Sequence, residues 1–278
     1  MKSIIVASIA LTAAVSAALT VAASAQDQRG TMSTVPPDVV KDLAPTGTLR
    51  AAINLGNSVL AQKEGNELRG VTIDLARELA RRAGVPVSFV PFEAAGKVFE
   101  ALKSGVWDIA FLAIEPVRAA EIDFTPPYVL IEGTYMVLKE SPLKAIADVD
   151  KPGVRIAVGR GSAYDLFLTR TIKNAELVRA QTGGGRAMID LFFDQKLEVA
   201  AGVKQPLVEY AKTDAKVRVM DGRFMEIQQA MGTPKGRKPA TLAFLRGFIE
   251  EMKVSGFVAD ALKRSNQPDA AVAPAATN

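Results

Sequence analysis

Apolar residues recur along the middle of the chain at strand and helix spacings. Leu75, Leu79 and Ala83 lie four residues apart, which predicts a helix with one apolar face that ends at Gly84. Apolar residues alternate over 107–113, as in a strand. The other predicted strands span 48–53, 85–90, 154–158, 177–180, 197–201 and 217–220, and the other main helices span 98–105, 162–171, 186–195 and 240–254. Strands separated by helices predict parallel α/β sheets, and the pattern restarts after Pro142, which suggests two lobes.

The two ends of the chain have a different character. Residues 1–25 carry a basic start, an apolar stretch and the small residues Ala23-Ser24-Ala25, which predict a signal peptide. An uncleaved membrane anchor is the alternative, because the uncharged run is long enough to span a bilayer. Residues 26–46 contain three prolines and are interpreted as a flexible leader, and residues 266–278 as a disordered tail.

Composition removes several classes of chemistry. The 278 residues contain no histidine and no cysteine, so disulfides, thiol nucleophiles, Ser-His-Asp triads and His- or Cys-ligated metals are excluded. A formal net charge of +4 is too weak to imply a nucleic-acid partner. Carboxylates, hydroxyls and the cationic heads of Lys and Arg remain, and we expect no metal and no cofactor.

Several segments, in order, carry a resemblance to a known family. They are 47–50, 70–76, 102–109, Arg118 followed by Ile122-Asp123-Phe124-Thr125-Pro126-Pro127-Tyr128, and 158–162. Over about residues 48–262 the chain resembles the family 3 extracytoplasmic solute-binding proteins, the polar amino-acid receptors of ABC transporters. The resemblance implies an α/β, two-lobed periplasmic-binding-protein fold with two crossover strands and a ligand cleft between the lobes. It places lobe 1 at 47–138 and 229–265, and lobe 2 at 139–228.

Arg118 is the first candidate for holding a ligand. The resemblance implies a bidentate contact with a ligand carboxylate, for which the planar guanidinium is well suited. A structural arginine is the alternative. Gly161 and Ser162 open a predicted helix whose free N–H groups could attract an anion, although Ser162 could equally be a simple N-cap. Tyr164, on the same helix, completes this part of the candidate set.

Departures from the family pattern are informative about the ligand. Asn54 and Asn57 occupy positions where receptors of this family commonly have an acid and an aromatic. Small hydroxyl residues before the arginine are replaced by residues that include Phe111 and Ala113, and the acid that would hold a ligand ammonium aligns with Val203. These changes indicate a carboxylate without an ordinary α-ammonium, or one whose amine is neutralised elsewhere. The remaining candidate, Glu115, could face the ligand or form an ion pair with Arg118.

The expected function follows from this resemblance. It implies a monomeric periplasmic solute-binding protein of an ABC importer, with a small carboxylate ligand and an inner-membrane permease as partners. One alternative is a periplasmic dehydratase-like enzyme that uses Glu115 or Glu198 as an acid. Another is a receptor that reports its ligand to a membrane sensor.

Overall fold

The computed structural model describes residues 35–181, 184–268 and 270–276. The helices are α1 (Pro37–Leu43), α2 (Val71–Ala83), α3 (Ala95–Glu100), α4 (Pro116–Ala119), α5 (Ala163–Thr171), α6 (Gly184–Asp194), α7 (Lys204–Thr213), α8 (Pro239–Val254) and α9 (Phe257–Arg264). The strands are β1 (Leu49–Asn54), β2 (Gln62–Glu64), β3 (Glu67–Arg69), β4 (Val87–Phe92), β5 (Ile109–Ala113), β6 (Ile122–Leu138), β7 (Arg155–Gly159), β8 (Glu176–Ala180), β9 (Val199–Val203), β10 (Val217–Val219), β11 (Met225–Pro234) and β12 (Ala271–Val272). The predicted signal peptide lies outside the described residues.

The sheet order explains the two lobes. Strands follow the order β4-β1-β5-β11-β6-β9-β7-β8. The parallel group β4-β1-β5 belongs to lobe 1 and the parallel group β9-β7-β8 to lobe 2, with the long antiparallel strands β6 and β11 between them. The predicted fold class is therefore confirmed, including its two crossover strands. The residue boundaries assigned to the lobes stay predictions.

Local sequence signals account for the helices and buried strands. Helix α2 buries Leu75, Leu79 and Ala83, and Gly84 ends it in the left-handed region at φ 66°. All five residues of β5 are buried because both faces of this strand are covered, and no polar position interrupts it. Such central strands end at the cleft between the lobes, where ligands of α/β proteins usually bind.

Parts of both predicted flexible ends are ordered in the structure, whereas residues 26–34 of the leader and 269, 277 and 278 of the tail lie outside the described residues. Within the leader, Pro37 starts helix α1, because a proline at the first helical position loses no hydrogen bond, and Val39 and Leu43 are buried one turn apart. In the tail, Ala271 pairs with Leu130 and Val272 with Val129 of β6. The hydrogen bonds of β12 and the burial of its neighbours hold this part of the tail on the protein.

One element has no counterpart in the predicted pattern. Strands β2 and β3 form an antiparallel hairpin in which Gln62 pairs with Arg69. Its residues are mostly polar and solvent-facing, so no apolar alternation marks it. In the described part of the chain, no helix combines the length and the apolar character needed to cross a membrane.

Candidate functional site

A cleft of about 790 Å³ lies between the lobes. Of the predicted site residues, Asn54, Asn57, Ala113, Arg118, Ser162, Tyr164 and Val203 line it. Strand ends and helix starts from both lobes supply this wall, which is where open α/β sheets place ligands. Among the described residues no group of three or more acidic side chains is arranged to hold a metal ion.

Arg118 is a buried cation in this wall. Its side chain is 1% exposed; Nη1 donates to the Ala113 carbonyl at 3.0 Å and Nη2 to the Gly161 carbonyl at 2.8 Å. Nε is buried without a hydrogen-bond partner, and no described carboxylate lies within ion-pair distance. Burial lowers the pKa of Arg118 to about 10, and the negative charge of Glu115 acts in the opposite direction by raising it. The guanidinium therefore remains cationic at neutral pH.

Glycines allow the two lobes to meet. Gly96 of lobe 1 faces Gly161 of lobe 2 so closely that a Cβ added at Gly96 would lie 2.9 Å from the Arg160 carbonyl oxygen and 3.3 Å from Gly161 Cα. Gly56 and Gly184 form a second such pair, since a Cβ on Gly184 would lie 2.6 Å from Gly56 Cα. The backbones of the two lobes therefore touch at two points, and the cleft is closed there.

Helix α5 starts at the cleft, and its N-terminus is partly satisfied internally. Ser162 Oγ accepts a hydrogen bond from Asp165 N–H at 3.0 Å, so Ser162 is an N-cap. Gly161 N–H donates to the Asp165 carboxylate, and Arg179 pairs with that carboxylate. The N–H groups of Ala163 and Tyr164 have no hydrogen-bond partner among the described residues. Burial raises the pKa of Tyr164 to about 12, so its hydroxyl stays protonated.

Asn54, Asn57 and Val203 lie in the cleft wall. Asn54 Oδ1 accepts from Gly56 N–H, and Asn57 Oδ1 accepts from Val59 N–H, so both amides order the loop after β1. Val203 ends β9 in the cleft wall, and the following Lys204 pairs with Glu132 at 2.6 Å. Neither the loop after β1 nor the end of β9 presents an acid at these aligned positions.

Three predicted site residues lie outside the cleft wall. Phe111 packs edge-to-face on Tyr128 in the core of lobe 1, because its side chain follows the buried face of β5. Glu115 forms an ion pair with Arg170 of α5, and its charge also acts on Arg118 without an ion pair between them; a contact of Glu115 with the ligand stays a prediction. Gly161 accepts from Arg118 with its carbonyl and donates its N–H to the Asp165 carboxylate, so this N–H is already used within the protein.

The structure also brings residues to the cleft that the sequence did not single out. Gln229 of β11 is 6% exposed, pairs in register with Ala113, and has no side-chain hydrogen bond within the described residues. Glu93 and Arg160 are exposed at the cleft, and neither has an ion-pair partner in the described part of the chain. Residues 184–186, at the start of α6, also line the cleft.

Comparisons with known proteins identify the family of the chain. The sequence profile of the bacterial extracellular solute-binding proteins, family 3, matches residues 56–265. A probable histidine-binding protein of Campylobacter jejuni is 30% identical over 117 residues, which are 41% of this chain and 44% of that protein. The match thus spans less than half the length of that relative.

Solved structures share the fold. The solute receptor for L-cysteine of Neisseria gonorrhoeae superimposes with a TM-score of 0.71 at 23% identity, covering 82% of this chain and 94% of that one. An ancestral amino acid-binding protein, a precursor of cyclohexadienyl dehydratase, gives 0.67 at 24% identity, covering 81% and 98%. Because the family profile covers most of the chain, the protein belongs to the bacterial extracellular solute-binding proteins, family 3.

Proposed function

We propose that the protein is a periplasmic solute-binding protein of an ABC importer, and that it binds a small carboxylate-bearing solute by closure of its lobes. The observation that carries this proposal is Arg118, a cleft cation that is 1% exposed and lacks a described carboxylate partner. A buried, unpaired charge is costly, so a fold keeps one where a ligand supplies the opposite charge.

Donors around Arg118 suit a carboxylate. The guanidinium has five N–H groups, of which the carbonyls of Ala113 and Gly161 take two. The N–H groups of Ala163 and Tyr164 lie at the start of α5, where the helix dipole favours an anion. Gln229 of β11, which pairs in register with Ala113 of β5, adds a side-chain amide. A carboxylate held by these groups would bridge both lobes and favour the closed form, which a permease would recognise.

Two features bear on whether the ligand carries an ammonium group. Val203 supplies no charge where the family resemblance implies an acid, and a buried ammonium against it would cost several kcal/mol. Glu93 is an exposed acid in the cleft wall. An amino-acid ligand would therefore place its ammonium near Glu93, whereas a carboxylate without an amine would leave Glu93 in solvent.

A dehydratase-like enzyme receives less support. The acids available to it, Glu115 and Glu198, lie outside the cleft wall and form ion pairs with Arg170 and Arg155. Hydrogen bonds from Arg155 lower the pKa of Glu198, which keeps it ionised and unsuited to donate a proton at neutral pH. We therefore propose a receptor instead of an enzyme, monomeric and without a cofactor.

A thermal-shift screen tests the proposal. The purified protein is mixed with amino acids, keto acids, dicarboxylates and aromatic acids, and a ligand at 1,000 times its Kd should stabilise it by about 4 kcal/mol. Arg118→Ala should remove the shift, while Arg69→Ala, at an exposed arginine of β3, should keep it. Stabilisation by neutral compounds alone, or an equal shift in Arg118→Ala, would contradict the proposal. Turnover of a hit would favour the enzyme.

A further inference from the structure

The cleft continues from Arg118 into lobe 2 as a chamber between helices α6 and α7. Its walls are supplied by Met188 and Ile189 of α6, Gly202 and Val203 of β9, and Leu207 and Tyr210 of α7. We call this part of the cleft the lobe 2 chamber. The whole cavity, about 790 Å³, is in the upper part of the roughly 300–1,000 Å³ range of small-molecule sites.

Helix α7 gives the chamber its length. Pro206, Tyr210 and Thr213 recur at i, i+4 and i+7, so one face of α7 follows the cavity. At 1.5 Å per residue, the seven steps from Pro206 to Thr213 extend about 10 Å along the helix axis. The chamber is therefore an elongated extension of the cleft and not a widening of its mouth.

The chamber walls are mainly apolar. Met188, Ile189 and Leu207 are buried apolar side chains. The charged residues Arg186 and Glu209 also line the cavity, but they form exposed ion pairs with Asp190 and Lys212. Within the described residues, the charged side chains with which α6 and α7 line the cavity are therefore paired, and neither helix directs an unpaired charge at a ligand in the chamber. Polar ligand groups would lose hydration there, whereas apolar groups would gain by leaving water.

Gly202 keeps the chamber open beside β9. A Cβ at this position would lie 3.1 Å from Met188 Cε and 3.3 Å from Leu207 Cδ1. The backbone φ of Gly202 is not in the left-handed region, so a side chain here would cause no backbone strain. Its effect would be to fill the space beside β9. A larger residue at 202 would push against both apolar walls.

We infer that the lobe 2 chamber binds an apolar tail of the solute, so that the ligand class is a monocarboxylic acid with an extended aliphatic or aryl group. This inference rests on the proposed function, in which Arg118 holds the carboxylate. The carboxylate lies at the junction of the lobes, and the tail extends from it along α7. The departure at Val203 fits the same ligand, because an aliphatic residue there continues the apolar wall.

A chain-length series tests the inference. Calorimetry with propanoate, hexanoate and octanoate should show affinity rising about fourfold for each added buried methylene. Gly202→Val should weaken hexanoate binding at least tenfold and should weaken propanoate binding much less. Thr213→Phe, at an exposed residue near the end of α7, should weaken octanoate only. Gly247→Val on α8, where an added Cβ has open space, is the matched control and should behave as wild type.

The outcomes separate the two proposals. Propanoate binding that depends on Arg118, with no gain from longer tails, overturns the chamber inference and leaves the proposed function standing. The inference is also overturned if affinity rises with tail length in the wild type and rises equally in Gly202→Val and Thr213→Phe. If no acid of the series binds the wild type and free amino acids do, the apolar-tail inference fails while a carboxylate receptor remains. If no carboxylate of any kind binds, both proposals fail.

Discussion

Arg118 donates a 2.8 Å hydrogen bond across the cleft to the carbonyl oxygen of Gly161. The two residues belong to different lobes, so the side chain proposed to hold the ligand also holds the lobes together. Ligand binding and lobe closure would then depend on the same guanidinium, and a change that affects closure should alter affinity without touching the ligand.

Arg170→Gln should weaken ligand binding about tenfold through closure alone. Glu115 is 3% exposed and pairs with Arg170 from the other lobe, so the variant leaves a buried carboxylate unpaired in the closed form. Opening would return Glu115 to water. Calorimetry measures the affinity, and small-angle scattering measures the ligand-induced closure. Lys151→Gln, which breaks an exposed pair within lobe 2, is the control; equal affinities for both variants would rule out this role.

Gly96→Ala should reduce affinity at least tenfold, because its Cβ would lie 2.9 Å from the Arg160 carbonyl oxygen in the closed form. The opened lobes would accommodate the methyl group, so unfolding of the ligand-free protein should change little. Gly247→Ala adds the same group where nothing lies within 4 Å. Ligand titrations that give one Kd for the wild type and both variants would show that the lobes do not need this contact.

Glu93→Gln distinguishes a ligand with an ammonium group from one without it. For a carboxylate that carries no amine, removal of this exposed acid should leave the affinity unchanged or raise it up to about threefold, since a repulsive charge is lost. For an amino acid, affinity should fall. Fluorescence titration at low and high salt measures the change, and a tenfold loss would assign Glu93 to an ammonium group.

Glu78 should make the stability of lobe 1 depend on acid pH. Hydrogen bonds from Arg81 and Arg82 lower the pKa of Glu78 from 4.5 to about 2. The unfolded chain therefore binds more protons between these values, so this stabilisation is full above about pH 5 and is lost as pH falls towards 2. Glu78→Gln should cost about 1 kcal/mol at pH 7 and nothing near pH 2. Urea unfolding of the wild type and Glu78→Gln between pH 7 and pH 2 measures this cost. A loss of stability that stayed the same at every pH would contradict the role of the ion pairs of Glu78 with Arg81 and Arg82.

Much of the fold could be predicted because its core strands and helices carry strong periodic signals. Helix α2 and strand β5 were predicted from apolar spacing, and Gly84 from its position after the helix. The prediction that the segments of helix α1 and strand β12 are flexible was wrong, because their order comes from tertiary contacts. Leu43 is buried by the fold, and Val272 pairs with Val129 of β6, more than 100 residues away along the chain.

The candidate site could be predicted only in part. Arg118 belongs to a local motif, so its position in the cleft could be expected. Glu115 pairs with Arg170, which is 55 residues away along the chain, so the local spacing of residues in the sequence cannot reveal the pair. The lobe 2 chamber depends on how α6 and α7 pack around Gly202, where side-chain shape and not local pattern decides what remains open.

Calorimetry on Arg118→Met with a ligand found in the thermal-shift screen tests the central claim most directly. Methionine keeps apolar volume but removes the buried charge, so the ligand-free variant should unfold at the same temperature as the wild type or higher. Its Kd should rise at least tenfold, because the carboxylate loses its cation. A Kd within twofold of wild type, together with a lower unfolding temperature, would make Arg118 a structural arginine and contradict the account.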